Sequence, residues 1–290
     1  MLFRSARTYW FRGETSRKRA LLAQAIELLE REPPGRELAL AYTHSAADHM
    51  VANRSADCAA WSEKALALAQ QLGLDAEAIR ARQLRGLARC QQGDMAGGLA
   101  DLREALRLSL DLGLGNETIR SYGNLGDWVW VDEGPARGLD VKRAGIEFGE
   151  RRGLTLPVMW AKAETLWPLF DLGRWDELLG WGRDLIEWDR RQGGGQVAVV
   201  ALTYMAYVFV CRGQLSEAHA LTQEFLPRAR EIRDPQVLVP AVAVVSLIEH
   251  GRGNPSTAVR LIEEMEEITR DRPVFRARHQ IGRASCRERV

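Results

Sequence analysis

In 290 residues, 46% hydrophobic and 27% charged, there is enough apolar side chain for a large buried core, yet no stretch reaches the ~18 uninterrupted apolar residues of a membrane span. With 40 basic and 39 acidic residues the formal charge is +1, so no basic excess points to nucleic acid. Cys58, Cys90 and Cys211 are widely spaced without a CxxC, which suits reduced thiols buried in helices as small hydrophobes in a cytoplasmic setting.

From the N-terminus, residues 1–5 stand apart. Their coding sequence can be written so that its reverse complement, in another frame, gives Ile281, Gly282 and Arg283; residues 1–5 and 281–290 resemble translated sequencing-library adapter. Such segments are set aside from fold reasoning, which leaves residues 6–280 as the expected polypeptide, a fragment open at both ends. Cys286, four arginines and one glutamate go with them, and the charge turns slightly acidic.

Through the rest of the chain a turn-type residue recurs every 40 positions: Gly13, Asn53, Gly93, Glu133, Gly173, Gly213 and Gly253. A second ladder lies 20 residues out of phase, at Gly73, Gly113, Gly153, Gly193 and Arg233. The intervals are rich in Ala, Leu, Arg and Glu and too long for strands, so each repeat is expected to be a helical hairpin. Glycine after the last periodic residue supplies the left-handed conformation that ends a helix. The hairpins fall at approximately 6–33, 35–73, 75–113, 115–153, 155–193, 195–233 and 235–272, in one solenoid over residues 6–280.

Within these elements, residues 55–72 carry Cys58, Trp61, Ala65, Leu68, Ala69 and Leu72 along one stripe. Pro135 and Pro255 start second helices and Pro235 a first helix, whereas Pro168 and Pro227 lie inside helices and predict local kinks. Residues 197–211 read as the most buried helix of the stack. Near the C-terminus, Glu263, Glu264, Glu266 and Glu267 surround Met265 and Ile268, either as a solvated face or as a partner-docking patch.

Aligned on the 40-residue step, Ala46, Gly86, Gly126, Ala206 and Ser246 form a small-residue column broken by Leu166. Cys58, Gly98, Gly138, Ala218 and Ala258 form another, broken by Leu178. A third column changes character, from Ala65, Ala105 and Gly145 to Leu185, Phe225 and Met265. The small-to-small spacing around a turn resembles the tetratricopeptide repeat, lengthened here from its usual ~34 residues. More specifically, residues 85–90, 122–128, 164–178 and 228–241 resemble the C-terminal tetratricopeptide-like region of large bacterial proteins that join an adenylate or guanylate cyclase domain to a signalling ATPase. A similar region occurs in MalT-like and LuxR-type activators. The resemblance implies an all-α, right-handed α-solenoid.

In tetratricopeptide stacks the first helix of each hairpin lines the concave surface. Projected onto this register, Arg80, Gln83, Arg120, Asp127, Trp130, Trp160, Trp167, Phe170, Asp171 and Tyr207 form a candidate groove. Seven of nine tryptophans lie between Trp128 and Trp188, and they are open to two readings: packing between long helices, or an aromatic binding floor. Trp175, Trp181 and Trp188 fall on second helices that should face away from it.

No catalytic or metal-binding motif emerges. A GxxxxGK[ST] loop, a GxSxG elbow and HExxH are all absent from the chain; His44 and His49 fall on different parts of a helix surface, and His219 and His250 read as surface or rim residues. The expectation is a non-catalytic interaction and regulatory scaffold with no cofactor and no metal. Its partner is a protein or peptide, including neighbouring ATPase or cyclase domains of the same chain, or a small-molecule effector, with no role for nucleic acid or membrane. The alternative is the effector-sensing arm of a LuxR/MalT-type transcription regulator.

Overall fold

The computed structural model describes residues 15–52 and 54–270, and among them there are thirteen α-helices and no strand. In chain order these are α1 (Thr15–Leu29), α2 (Arg36–Val51), α3 (Ser55–Gln71), α4 (Asp75–Gln91), α5 (Met95–Asp111), α6 (Gly115–Glu133), α7 (Pro135–Arg151), α8 (Thr155–Asp171), α9 (Trp175–Arg191), α10 (Gln196–Cys211), α11 (Leu215–Ile232), α12 (Pro235–Gly251) and α13 (Pro255–Thr269). The segments resembling adapter, together with Gly13 and Asn53, lie outside the described residues.

Helix termination follows the glycine ladder. Gly73, Gly93, Gly113, Gly153, Gly173, Gly193, Gly213 and Gly253 all have φ between 65° and 96°. The residue after each returns its N–H to a carbonyl five positions back, as in Leu74 to Ala69 at 2.8 Å and Asn254 to Glu249 at 2.9 Å. That is the 6→1 bond of a Schellman cap. Arg233 holds the same place with φ 56°, the one non-glycine with positive φ among the described residues. At Glu133 the ladder is displaced: α6 runs on to Glu133 and the turn falls on Gly134, φ 100°. Pro135 opens α7, and its ring disfavours helical backbone in the residue before it.

Contacts divide the chain within α8, between Thr165 and Leu166. In the first unit consecutive helices pack antiparallel as hairpins, and α4 also touches α2 and α6 directly. The hairpin helices meet backbone to backbone at the small-residue columns. A Cβ on Gly98 would lie 2.7 Å from the Gly86 carbonyl oxygen, and one on Gly138 the same distance from that of Gly126. A buried carboxylate fastens the α4–α5 hairpin further. Asp101 accepts from Arg85 Nε at 2.8 Å and Nη2 at 2.5 Å, from Arg89 Nη1 at 3.0 Å and from Arg82 Nη1 at 3.3 Å.

In the second unit, α10 and α12 form the corresponding direct contact. Leu178 and Leu166 are fully buried, as are Leu185 and Phe225, which replace the alanines of the third column. Two expectations are corrected. The most buried helix is α12 and not residues 197–211: thirteen of its seventeen residues are buried, against nine of sixteen in α10. No charge interrupts α12 before Glu249, whereas α10 keeps Tyr204, Tyr207 and Phe209 partly at the surface. Cys58 and Cys90 are buried, their thiols pushed up to about 11 by burial, but Cys211 ends its helix exposed. The helices α8, α11 and α12 continue through Pro168, Pro227 and Pro240.

Candidate functional site

The division within α8 separates the ten candidate residues into two groups. Arg80, Gln83, Arg120, Asp127, Trp130 and Trp160 belong to the first unit, and Trp167, Phe170, Asp171 and Tyr207 to the second.

In the first unit Gln83 is the hub. It is fully buried, donates from Nε2 to Ser121 Oγ at 2.6 Å and to the Glu117 carbonyl at 3.3 Å, and so links α4 to α6. With its amide turned that way, its Oε1 accepts from Arg80 Nη1 at 3.0 Å and from Asn124 Nδ2 at 3.3 Å. Arg120 is held by Glu117 at 2.8 and 2.9 Å. The Arg80 guanidinium is pushed down to about 10 by desolvation, and the neighbouring charge of Arg120 adds to the effect.

A second polar group lies beside the first. Lys142, a buried residue of α7, pairs with the exposed Asp127 at 2.9 Å. Glu164 on α8 accepts from Trp160 Nε1 at 2.8 Å, and its other oxygen comes to 3.6 Å from where a Cβ on Gly123 of α6 would be. Desolvation holds the Glu164 carboxyl above the usual range, against the charge of Lys142, and Asp127 raises it further. Glu164 is nonetheless exposed and Arg80 half-exposed.

Trp130 does not join this group. Its Cβ is 2.7 Å from where a Cβ on Gly138 would sit, so the α6–α7 contact occupies its base, and no ring or side-chain hydrogen bond ties it to the other nine.

In the second unit the aromatic residues form a continuous cluster. Trp167 meets Tyr204 edge-on at 6.0 Å between centroids, Tyr204 stacks on Tyr207 at 6.0 Å, Tyr207 meets Phe170 at 5.6 Å, and Phe170 stacks on Trp175 at 6.2 Å. Each ring is half-buried. Arg212 lies over Trp175 at 5.8 Å, and the Tyr207 hydroxyl donates to the Pro240 carbonyl at 3.3 Å, which ties α10 to α12. Trp175 belongs to a second helix, yet it donates from Nε1 to the Phe170 carbonyl at 3.1 Å and turns its ring toward the cluster. Asp171 is exposed at the end of α8. A separate groove of about 520 Å³ lies between α9 and α11 over α10, with Ile186, Leu202, Met205 and Leu221 as its apolar lining.

Sequence reasoning missed Asn124, Glu164 and Tyr204. They share one 40-residue column, the neighbour of the columns chosen, and that spacing was the available signal. Among the described residues no helix is long and apolar enough to cross a membrane, and no three metal-ligating side chains come together.

Neither a protein-family model nor a curated protein sequence matches this chain. Solved structures do. The aspartyl phosphate phosphatase F of Bacillus subtilis superposes with a TM-score of 0.68 at 10% identity, over 92% of this chain and 69% of its own. The fold is tetratricopeptide-like. The Rap conjugation gene regulator of plasmid pLS20, in complex with the Phr* peptide, gives 0.62 at 16% identity over 93% and 75%. A signal transduction ATPase with numerous domains from Pyrococcus horikoshii, with a tetratricopeptide repeat sensor, gives 0.61 at 12% over 97% of this chain and 44% of its own. At such identities the likeness is one of fold.

Proposed function

We propose that this chain is a non-catalytic interaction and regulatory scaffold that takes a peptide or partner segment on the faces of its first helices, within a signalling protein of the cyclase/ATPase type. The observation that carries the reading is the half-buried aromatic cluster of the second unit. Five rings in mutual contact keep part of their surface for solvent on α8, the start of α9 and α10. Aromatic side chains with one face packed and one face free are the usual anchors of an interface, because they bring large contact area at little conformational cost.

Two fold neighbours support it. One is described in complex with a peptide, and in the other a tetratricopeptide repeat sensor is part of a much longer signalling ATPase. Repeats that contact only their neighbours let a bound segment change the set of the stack, and an adjoining domain would read that change.

The test is selection of displayed random peptides on the full chain, followed by binding to Trp167→Ala and Tyr204→Ala variants. The reading expects enriched peptides whose affinity falls at least about tenfold in variants that still fold, in line with loss of an interface anchor. Enriched peptides that bind both variants as well as the parent chain count against it.

A further inference from the structure

We infer that the groove between α9 and α11 is a binding site for a small amphipathic carboxylate, its alkyl body over Leu202 and Met205 and its acid group on Arg183. The site is distinct from the aromatic cluster, because α10 gives Tyr204 and Tyr207 to that cluster and Leu202 and Met205 to the groove.

Three helices make its shape. Ile186 on α9 and Leu221 on α11 stand on either side, and Leu202 and Met205 on α10 lie between them. On α9, residue 182 is glycine, and a Cβ there would lie 2.7 Å from the Met205 sulfur. The methionine thus leans on bare backbone, and its unbranched thioether chain can repack against whatever enters. The volume of about 520 Å³ falls within the roughly 300–1,000 Å³ usual for a small-molecule site.

The charges around the apolar lining narrow the occupant. Arg190 of α9 donates to Glu224 of α11 at 2.7 and 2.9 Å, and Arg191 donates to Glu187 at 2.9 Å. Both carboxylates of the lining are thereby matched with an arginine. The third arginine, Arg183, is exposed and has no carboxylate within ion-pair distance among the described residues. The groove therefore carries one positive charge in excess. A single acid group on the ligand balances it, and the planar guanidinium fork matches a carboxylate.

An extended peptide suits the groove less well. The backbone groups of α9, α10 and α11 are used within the helices, which leaves no partner for the N–H and C=O groups of a second chain. An alkyl chain needs none. A hydrocarbon body with one acid end meets both the apolar floor and the excess charge, as in a free medium-chain fatty acid.

The experiment uses sodium decanoate, with decanol as the neutral chain of the same length, on the full protein carrying methyl-labelled methionine. Affinity is read from the Met205 methyl resonance, assigned with Met205→Leu. Titrations are run on the parent chain, on Arg183→Gln and on Leu221→Trp, which fills the groove, with thermal melts to establish folding.

The expected result is a saturable shift of the Met205 methyl, with decanoate binding about fivefold tighter than decanol, the scale of an ion pair at an open rim. Arg183→Gln lowers decanoate to the level of decanol, and Leu221→Trp weakens both by about tenfold or more. Absence of a saturable shift with decanoate overturns the site. Equal affinity for acid and alcohol, or a preference for the acid that survives Arg183→Gln, overturns the pairing with Arg183 and the proposal with it. Undiminished binding to Leu221→Trp puts the ligand elsewhere and refutes the groove. Should Leu221→Trp unfold, the Met205 shift and Arg183→Gln, a change at an exposed residue, decide. None of these results bears on peptide binding to the aromatic cluster.

Discussion

Two glycine-to-alanine substitutions should change stability in opposite directions. Both Gly98 and Gly180 lie inside helices, where alanine is better than glycine by about 1 kcal/mol from backbone entropy alone. At Gly180 an added Cβ meets nothing within 4 Å, so Gly180→Ala should keep that gain and stabilise by about 1 kcal/mol. At Gly98 the same methyl lies 2.7 Å from the Gly86 carbonyl oxygen, 2.9 Å from the Cys90 nitrogen and 2.2 Å from the Cys90 sulfur. The sulfur can rotate away, but the two backbone atoms move only if α4 and α5 separate. Overpacking of this kind costs about 1–3 kcal/mol, and a backbone clash belongs at the upper end. Net of the helix gain, Gly98→Ala should destabilise by about 1–2 kcal/mol.

Urea unfolding of the full chain, followed by far-UV circular dichroism, measures both, with the variants compared at unchanged m-value. Thermal midpoints should move by roughly 2–4 °C per kcal/mol for units of this size. A Gly98→Ala protein as stable as its parent would show that the small-residue column is not a close-approach device. A destabilised Gly180→Ala protein would refute the open space assigned to that helix face.

Three further outcomes follow from single side chains. Asp101→Ala removes the acceptor shared by three arginines and should cost about 3–5 kcal/mol, measured by the same urea titration; a loss under 1 kcal/mol contradicts its fastening role. Phe225→Ala empties a fully buried site where other repeats place alanine and should cost about 3–5 kcal/mol, since the surrounding helices are spaced for the larger ring. Glu164→Gln tests the raised carboxyl. A folded-state pKa above the unfolded value means that ionised Glu164 opposes folding near neutral pH, and that the penalty fades as pH falls through the folded pKa. The variant should melt above its parent at neutral pH and level with it below the ordinary carboxylate range, and equal melting at both pH values would contradict the shift.

The helical hairpins were legible because their stops obey a local rule. A helix end in left-handed backbone favours glycine whatever the tertiary context, so Gly73, Gly113 and Gly253 announce themselves. The slip at Glu133 arose where a longer α6 and Pro135 moved the turn to Gly134. Burial was less legible, since apolar composition does not say which helix is covered on all sides: α12 exceeds α10 although both look apolar. The candidate faces were read in part. The 40-residue register brought out Arg80, Gln83, Trp167 and Tyr207, but the column of Asn124, Glu164 and Tyr204 mixes an amide, a carboxylate and a phenol and shows no pattern by residue type. Trp130 shows how a side chain at a first-helix position can have its base taken up by its own hairpin, here against Gly138.

The central claim is that ligands sit on the first helices of the hairpins. The direct measurement is photo-crosslinking of a selected peptide to the full chain, with the attachment sites mapped by mass spectrometry. The account predicts attachment to α4, α6, α8 and α10, with Trp167 and Tyr204 among the modified positions. Attachment confined to the second helices α5, α7, α9 and α11 would contradict it.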